Sequence, residues 1–74
     1  MTAKELKVKE INEAISRSSL AKDLKAKAEI KDGCIQYSML TRGQRPYRIK
    51  VTFRQILNLL HGEEIRRLAK NYSR

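Results

Sequence analysis

Residues 25–51 read KAKAEIKDGCIQYSMLTRGQRPYRIKV, and the alternation inside this stretch decides the fold. Toward its end Tyr47, Ile49 and Val51 take one parity while Arg48 and Lys50 take the other. Successive side chains of an extended chain point to opposite faces, so Tyr47 to Val51 is predicted as a strand with a buried apolar side and an exposed cationic one. Cys34 to Leu40 alternates too, with Ile35, Tyr37 and Met39 set against Gln36 and Ser38. Asp32-Gly33 just before it is a hairpin-turn signature, because Gly tolerates positive φ without steric cost. Gly43 and Pro46 interrupt the pattern between Thr41 and Pro46. The chain is expected to turn there, with Arg42 and Arg45 at the tip of a second hairpin.

Working back from the first turn, the signals divide. Leu20 to Ala28 is rich in Leu, Ala and Lys and has high helix propensity. Yet Ala26, Ala28 and Ile30 alternate with Lys25, Lys27 and Glu29 and run straight into Asp32-Gly33. The alternation predicts a short strand from Lys25 to Ile30; a helix over residues 20–30 would remove one strand from the sheet.

The flanks are helical. Thr2 and Glu5 have capping-box spacing, and Val8, Ile11, Ala14 and Ile15 recur on one helical face, so a helix is predicted from Ala3 to Ser16. Serines at 16, 18 and 19 compete for backbone hydrogen bonds and end it. Thr52 and Gln55 form a second capping box, predicting a helix from Phe53. Phe53, Ile56, Leu57 and Leu60 share a face, but Ile65, Leu68, Ala69 and Tyr72 lie about a third of a turn further round at 100° per residue. Gly62 separates the two sets, and Glu63 and Glu64 suit the first turn of a new helix. The chain as a whole is expected to form one α+β domain over residues 1–74. Its order is α-β-β-β-α: a three-stranded antiparallel sheet packed on helices, with the last helix kinked or broken near His61–Gly62.

Charge supplies the functional signal. Seventeen Lys and Arg stand against eight Asp and Glu, for a net charge of +9. Residues 1–37 hold eight basic and six acidic side chains, residues 38–74 nine and two, and no carboxylate lies between Gly33 and Gly62. Self-repulsion in so small a domain opposes compaction, and a polyanionic partner would relieve it. With the apolar parity turned toward the helices, Lys25, Lys27, Gln36, Ser38, Arg48 and Lys50 share the outer face, extended by Arg42 and Arg45. Arg54 follows at the start of the next helix. The candidate nucleic-acid-binding set is therefore Lys25, Lys27, Arg42, Arg45, Arg48, Lys50 and Arg54. Guanidinium groups grip phosphate oxygens bidentately, and a β-ribbon fits the DNA major groove. Tyr37, Tyr47 and Phe53 all fall on the core parity, so stacking on unpaired bases is not expected and a duplex, DNA or RNA, is. The order of elements is shared with double-stranded RNA-binding domains, an analogy of fold alone. The basic cluster those domains carry at the start of the last helix is here reduced to Arg54.

Other features read as structural. Arg66, Arg67, Lys70 and Arg74 solvate the outside of the last helix, with Glu63 and Glu64 in ion-pair reach of Arg67. His61 is the sole imidazole, without Cys or Asp at ligand spacing, and is expected to cap a helix end. Cys34 is the sole thiol, which excludes an internal disulfide and a zinc site; a packing role is expected. No phosphate-cradling Gly loop or nucleophile elbow is present, so neither catalysis nor a cofactor or metal is expected. No apolar run nears the roughly 20 residues that span a bilayer, no signal-peptide core is evident, and a lone cysteine suits a reducing compartment. A cytoplasmic or nucleoid-associated location is the expectation.

The composition thus predicts a noncatalytic nucleic-acid-binding accessory or regulatory domain. The alternatives are an inhibitor or adaptor docking on an acidic protein and, third, a toxin-like ribonuclease using His61. A homodimer would add buried area to a small core and match two half-sites on a duplex.

Overall fold

The computed structural model describes residues 2–72, apart from the side chains of Asn71 and Tyr72. Tyr72, expected on the apolar face of the last helix, and Arg74, expected on its basic face, therefore lie outside the described side chains. The elements are α1 (Ala3–Ser16), α2 (Ser19–Asp23), β1 (Lys27–Lys31), β2 (Cys34–Leu40), β3 (Arg48–Val51), α3 (Phe53–Leu57) and α4 (Gly62–Tyr72). The strands form one antiparallel sheet in the order β1-β2-β3. The α-β-β-β-α order and the break before α4 follow the sequence reading.

Thr2 Oγ1 accepts the Glu5 N–H at 3.1 Å and Glu5 Oε1 accepts the Thr2 N–H at 2.9 Å, which satisfies two otherwise orphaned donors and starts α1. The helix buries Ile11, Ala14 and Ile15, with Val8 at the margin. Ala14 and Ala28 are both buried. Their small side chains let α1 approach β1 closely.

The ambiguous stretch proves to be both helix and strand. Ser18 accepts the Ala21 N–H and starts α2, a short helix that the alternation does not reveal. Lys25 then adopts a left-handed conformation, φ 48°. Its N–H reaches the Lys22 carbonyl and the Ala26 N–H reaches that of Ala21, both at 3.0 Å. That bond pair is a Schellman closure, and buried Ala21 and Ala26 supply its apolar contact. The expected strand start at Lys25 is thus corrected to Lys27. The strand runs on through Lys31 into a turn in which Asp32 (φ 53°) and Gly33 (φ 77°) are both left-handed, as a two-residue hairpin of type I′ requires.

The third strand is also shorter than predicted. It begins at Arg48, and Tyr47, expected to be buried, is 65% exposed. Val51 and Met39 pack against the core, and the cluster stops short of Tyr47. At the opposite end of the sheet Ile30 is 40% exposed beside the turn. The apolar parity therefore outruns the packed cluster at both ends.

Between α3 and α4 the chain breaks over Asn58 to His61, where a kink or break near His61–Gly62 is expected. Leu59 and Leu60 both face the core there. The buried Ser18 hydroxyl donates to the Leu59 carbonyl at 2.6 Å and ties this turn to the start of α2. The His61 carbonyl accepts the Ile65 N–H at 2.9 Å and opens α4. Tyr37 and Phe53 meet across the sheet–helix interface with ring centroids 5.5 Å apart. Lys7 Nζ lies 5.4 Å from the Phe53 ring centroid, from α1. The groups of α1 and α3 that carry these contacts therefore lie on the Tyr37 side of the sheet.

Candidate functional site

The register assigns every strand residue to a face, because directly paired residues share one. Lys27, Ser38 and Lys50 form one rung across all three strands. Glu29 pairs with Gln36, Lys31 with Cys34, and Leu40 with Arg48. These residues occupy the face opposite Ala28, Tyr37 and Val51, which pack toward the helices. Lys27 and Lys50 flank Ser38 from the outer strands, roughly 9.5 Å apart at backbone level for two interstrand spacings. Arg48 and Lys50 follow each other along β3 at roughly 6.7 Å.

Within this face the charges are not equivalent. Arg48 reaches diagonally and donates from Nη1 to Ser38 Oγ at 2.9 Å. Ser38 is consequently buried on the outer side, beneath the guanidinium, and not open to a ligand as the alternation implied. Gln36 is half-buried. Lys27 Nζ lies 3.8 Å from Glu29 Oε2, with both side chains about half exposed, so the pair is a weak, solvent-screened one. Glu29 is thus a counter-charge on the face itself. The uncompensated cations gather instead on β3 and in the loop before it, where Arg42, Arg45, Arg48 and Lys50 are all exposed.

Two residues of the sequence-derived set leave the site. Lys25 occupies the left-handed cap of α2 and does not belong to the sheet. Arg54 stands on α3, next to the Phe53 that packs on Tyr37, and so belongs to the helix layer. One residue joins: Lys31, on the face through its pairing with Cys34. Its signal is the continued parity Lys27, Glu29, Lys31, which a strand ending at Ile30 leaves out. Cys34 is exposed rather than packed, which corrects its expected role.

The second basic group has a different setting. Arg17 Nη1 donates to Glu64 Oε1 at 3.2 Å, and Arg67 Nη2 approaches Oε2 to 2.9 Å as a charge contact outside hydrogen-bond geometry. Arg17 also lies 3.9 Å from Glu13. One carboxylate, 15% exposed, therefore links the end of α1 to α4 and engages two of the arginines. Arg66 and Lys70 are exposed.

Among the described residues no pocket opens, no three His, Cys, Asp or Glu side chains converge as metal ligands, and no helix is long and apolar enough to cross a membrane. His61 is exposed in the turn before α4. Comparison of the chain with family models, with curated proteins and with solved structures gives no match.

Proposed function

We propose that this chain is a noncatalytic accessory or regulatory domain that binds duplex nucleic acid through the outer face of its sheet and the β2–β3 loop. The observation that carries the reading is the cationic pair Arg48 and Lys50 on the sheet face opposite the helices, with exposed Arg42 and Arg45 in the loop before them and no carboxylate between Gly33 and Gly62. Lys27 and Lys31 extend the strip across the sheet. Phosphate oxygens are the ligand such groups satisfy best: arginine offers paired donors, lysine a compact charge. The β2–β3 hairpin is a two-stranded ribbon, of the kind that the B-DNA major groove admits. Arg48 is held by Ser38 before any ligand arrives, which lowers the entropy lost on binding.

A salt titration of the purified chain against duplex DNA and duplex RNA tests the proposal. Each phosphate neutralised on B-DNA should contribute a slope of roughly −0.9 to log K against log salt. Absence of measurable duplex binding at low salt would refute it and leave an acidic protein as the partner to seek.

A further inference from the structure

We infer that the ligand is a duplex bearing a single-stranded tail, and that Tyr47 receives an unpaired base from the strand that leaves the duplex at the end of the sheet. This rests on the outer sheet face being the duplex surface, and it extends the ligand beyond that face.

Among the described residues Tyr47 is the most exposed of the large hydrophobic side chains, at 65%. Its backbone is nevertheless held. Thr41 grips its backbone twice, the Thr41 N–H donating to the Tyr47 carbonyl at 2.9 Å and Thr41 Oγ1 accepting the Tyr47 N–H at 3.1 Å. Pro46 locks its own φ on one side and holds Arg45 to extended backbone. An aromatic ring left in water on a held backbone is open to a ligand, and the groups beside it in the chain name the ligand class. Arg42, Arg45 and Arg48 supply cations with no carboxylate nearby in sequence. An exposed aromatic ring at the end of a loop that carries two exposed arginines matches a nucleobase and its phosphates, since every base offers a π-face regardless of sequence.

The register decides between a paired and an unpaired base. Thr41 and Tyr47 lie one rung beyond Leu40–Arg48, and Arg48 is on the basic face. Strand alternation therefore sets Tyr47 off that face, at the end of the sheet. A base stacked within a duplex lying on Arg48 and Lys50 has no route to this ring; a base that has left the stack does. The tail would pass the loop arginines and lay a base on Tyr47.

The experiment compares three ligands at one salt concentration: a blunt duplex, the same duplex with a short single-stranded tail, and the same duplex with an abasic tail of equal length. Wild type should prefer the tailed duplex over the other two by roughly 5-fold or more. Tyr47→Ala should bring the tailed duplex down to the abasic level, leave blunt-duplex affinity unchanged, and keep the salt slope, because no charge is removed. Tyr47→Trp should keep the preference, with indole fluorescence quenched by the tailed ligand alone. Equal binding of base-bearing and abasic tails by wild type overturns the inference while the duplex surface stands. An equal loss on blunt and tailed ligands in Tyr47→Ala also overturns it. Failure of wild type to bind any duplex removes the premise and the inference together.

Discussion

The side-chain amide of Asn12 brackets the backbone of Ala28, donating from Nδ2 to its carbonyl and accepting its N–H at Oδ1, each at 2.9 Å. β1 is an edge strand, and one helical side chain supplies there the pair of bonds a fourth strand would have made. Asn12→Ala should therefore cost about 2 kcal/mol in urea unfolding, since two partly buried backbone groups lose their partners. The freed edge should also raise concentration-dependent association, visible by light scattering.

Ser18 caps α2 and holds the turn before α4, accepting from Ala21 and donating to Leu59 while almost wholly buried. Ser18→Ala should cost about 1–3 kcal/mol, because the Leu59 carbonyl is left unsatisfied as the helix loses its cap. Hydrogen exchange should show faster opening of both α2 and residues 58–61, two places far apart in the chain.

Lys25 is the one lysine of the sequence-derived binding set held in a left-handed conformation. Lys25→Gly should leave stability unchanged or raise it by up to about 1 kcal/mol, the steric relief outweighing the added freedom of the unfolded chain. It should leave duplex affinity nearly intact, whereas Lys27→Ala should lower it. Equal losses in the two variants would return Lys25 to the binding surface.

The hydrogen bond from the Thr2 backbone N–H, with a smaller contribution from the Thr2 side chain, holds the Glu5 carboxyl below its ordinary value of 4.5. A lowered folded-state value means that the ionised box stabilises the fold fully above the ordinary range, and that this contribution is lost as pH falls through the folded value. Glu5→Gln keeps an acceptor but removes the titration. Its unfolding free energy, measured from pH 6 down to pH 3, should fall less steeply than that of wild type.

Replacing Arg42, Arg45, Arg48 and Lys50 with Ala should weaken duplex binding and flatten the salt slope by roughly 0.9 for each phosphate no longer neutralised, without unfolding the domain. Arg66→Ala with Arg67→Ala should do less to affinity, since Arg67 already serves Glu64. Unchanged binding by a folded strip variant would reject this surface.

Much of the fold was legible because its signals are short-range. Capping boxes at Thr2–Glu5 and Thr52–Gln55 formed as their spacing requires, and Asp32-Gly33 made the turn its residue types favour. The errors cluster where alternation met a boundary. At Lys25 the Lys-Ala repeat continues unbroken while the backbone changes from helix cap to strand, since period two in sequence cannot reveal a positive φ. At Tyr47 the parity held, yet burial also needs a helix above the ring.

For the site, the acid-free cationic stretch is a property of composition and order, and one strand's worth of alternation is enough to put Arg48 and Lys50 on the same side. Which of those charges stand uncompensated is decided by contacts between distant residues. Glu29 tempers Lys27 on the outer face, Arg48 covers Ser38 from ten residues away, and Glu64 draws in Arg17 across 47 residues. Asn12 finds Ala28 across 16 residues and Ser18 finds Leu59 across 41. Caps, turns and alternation act within about four residues and are written locally. Pairings of this second kind arise only once the core has brought separate elements together, because the partner's identity carries no local mark.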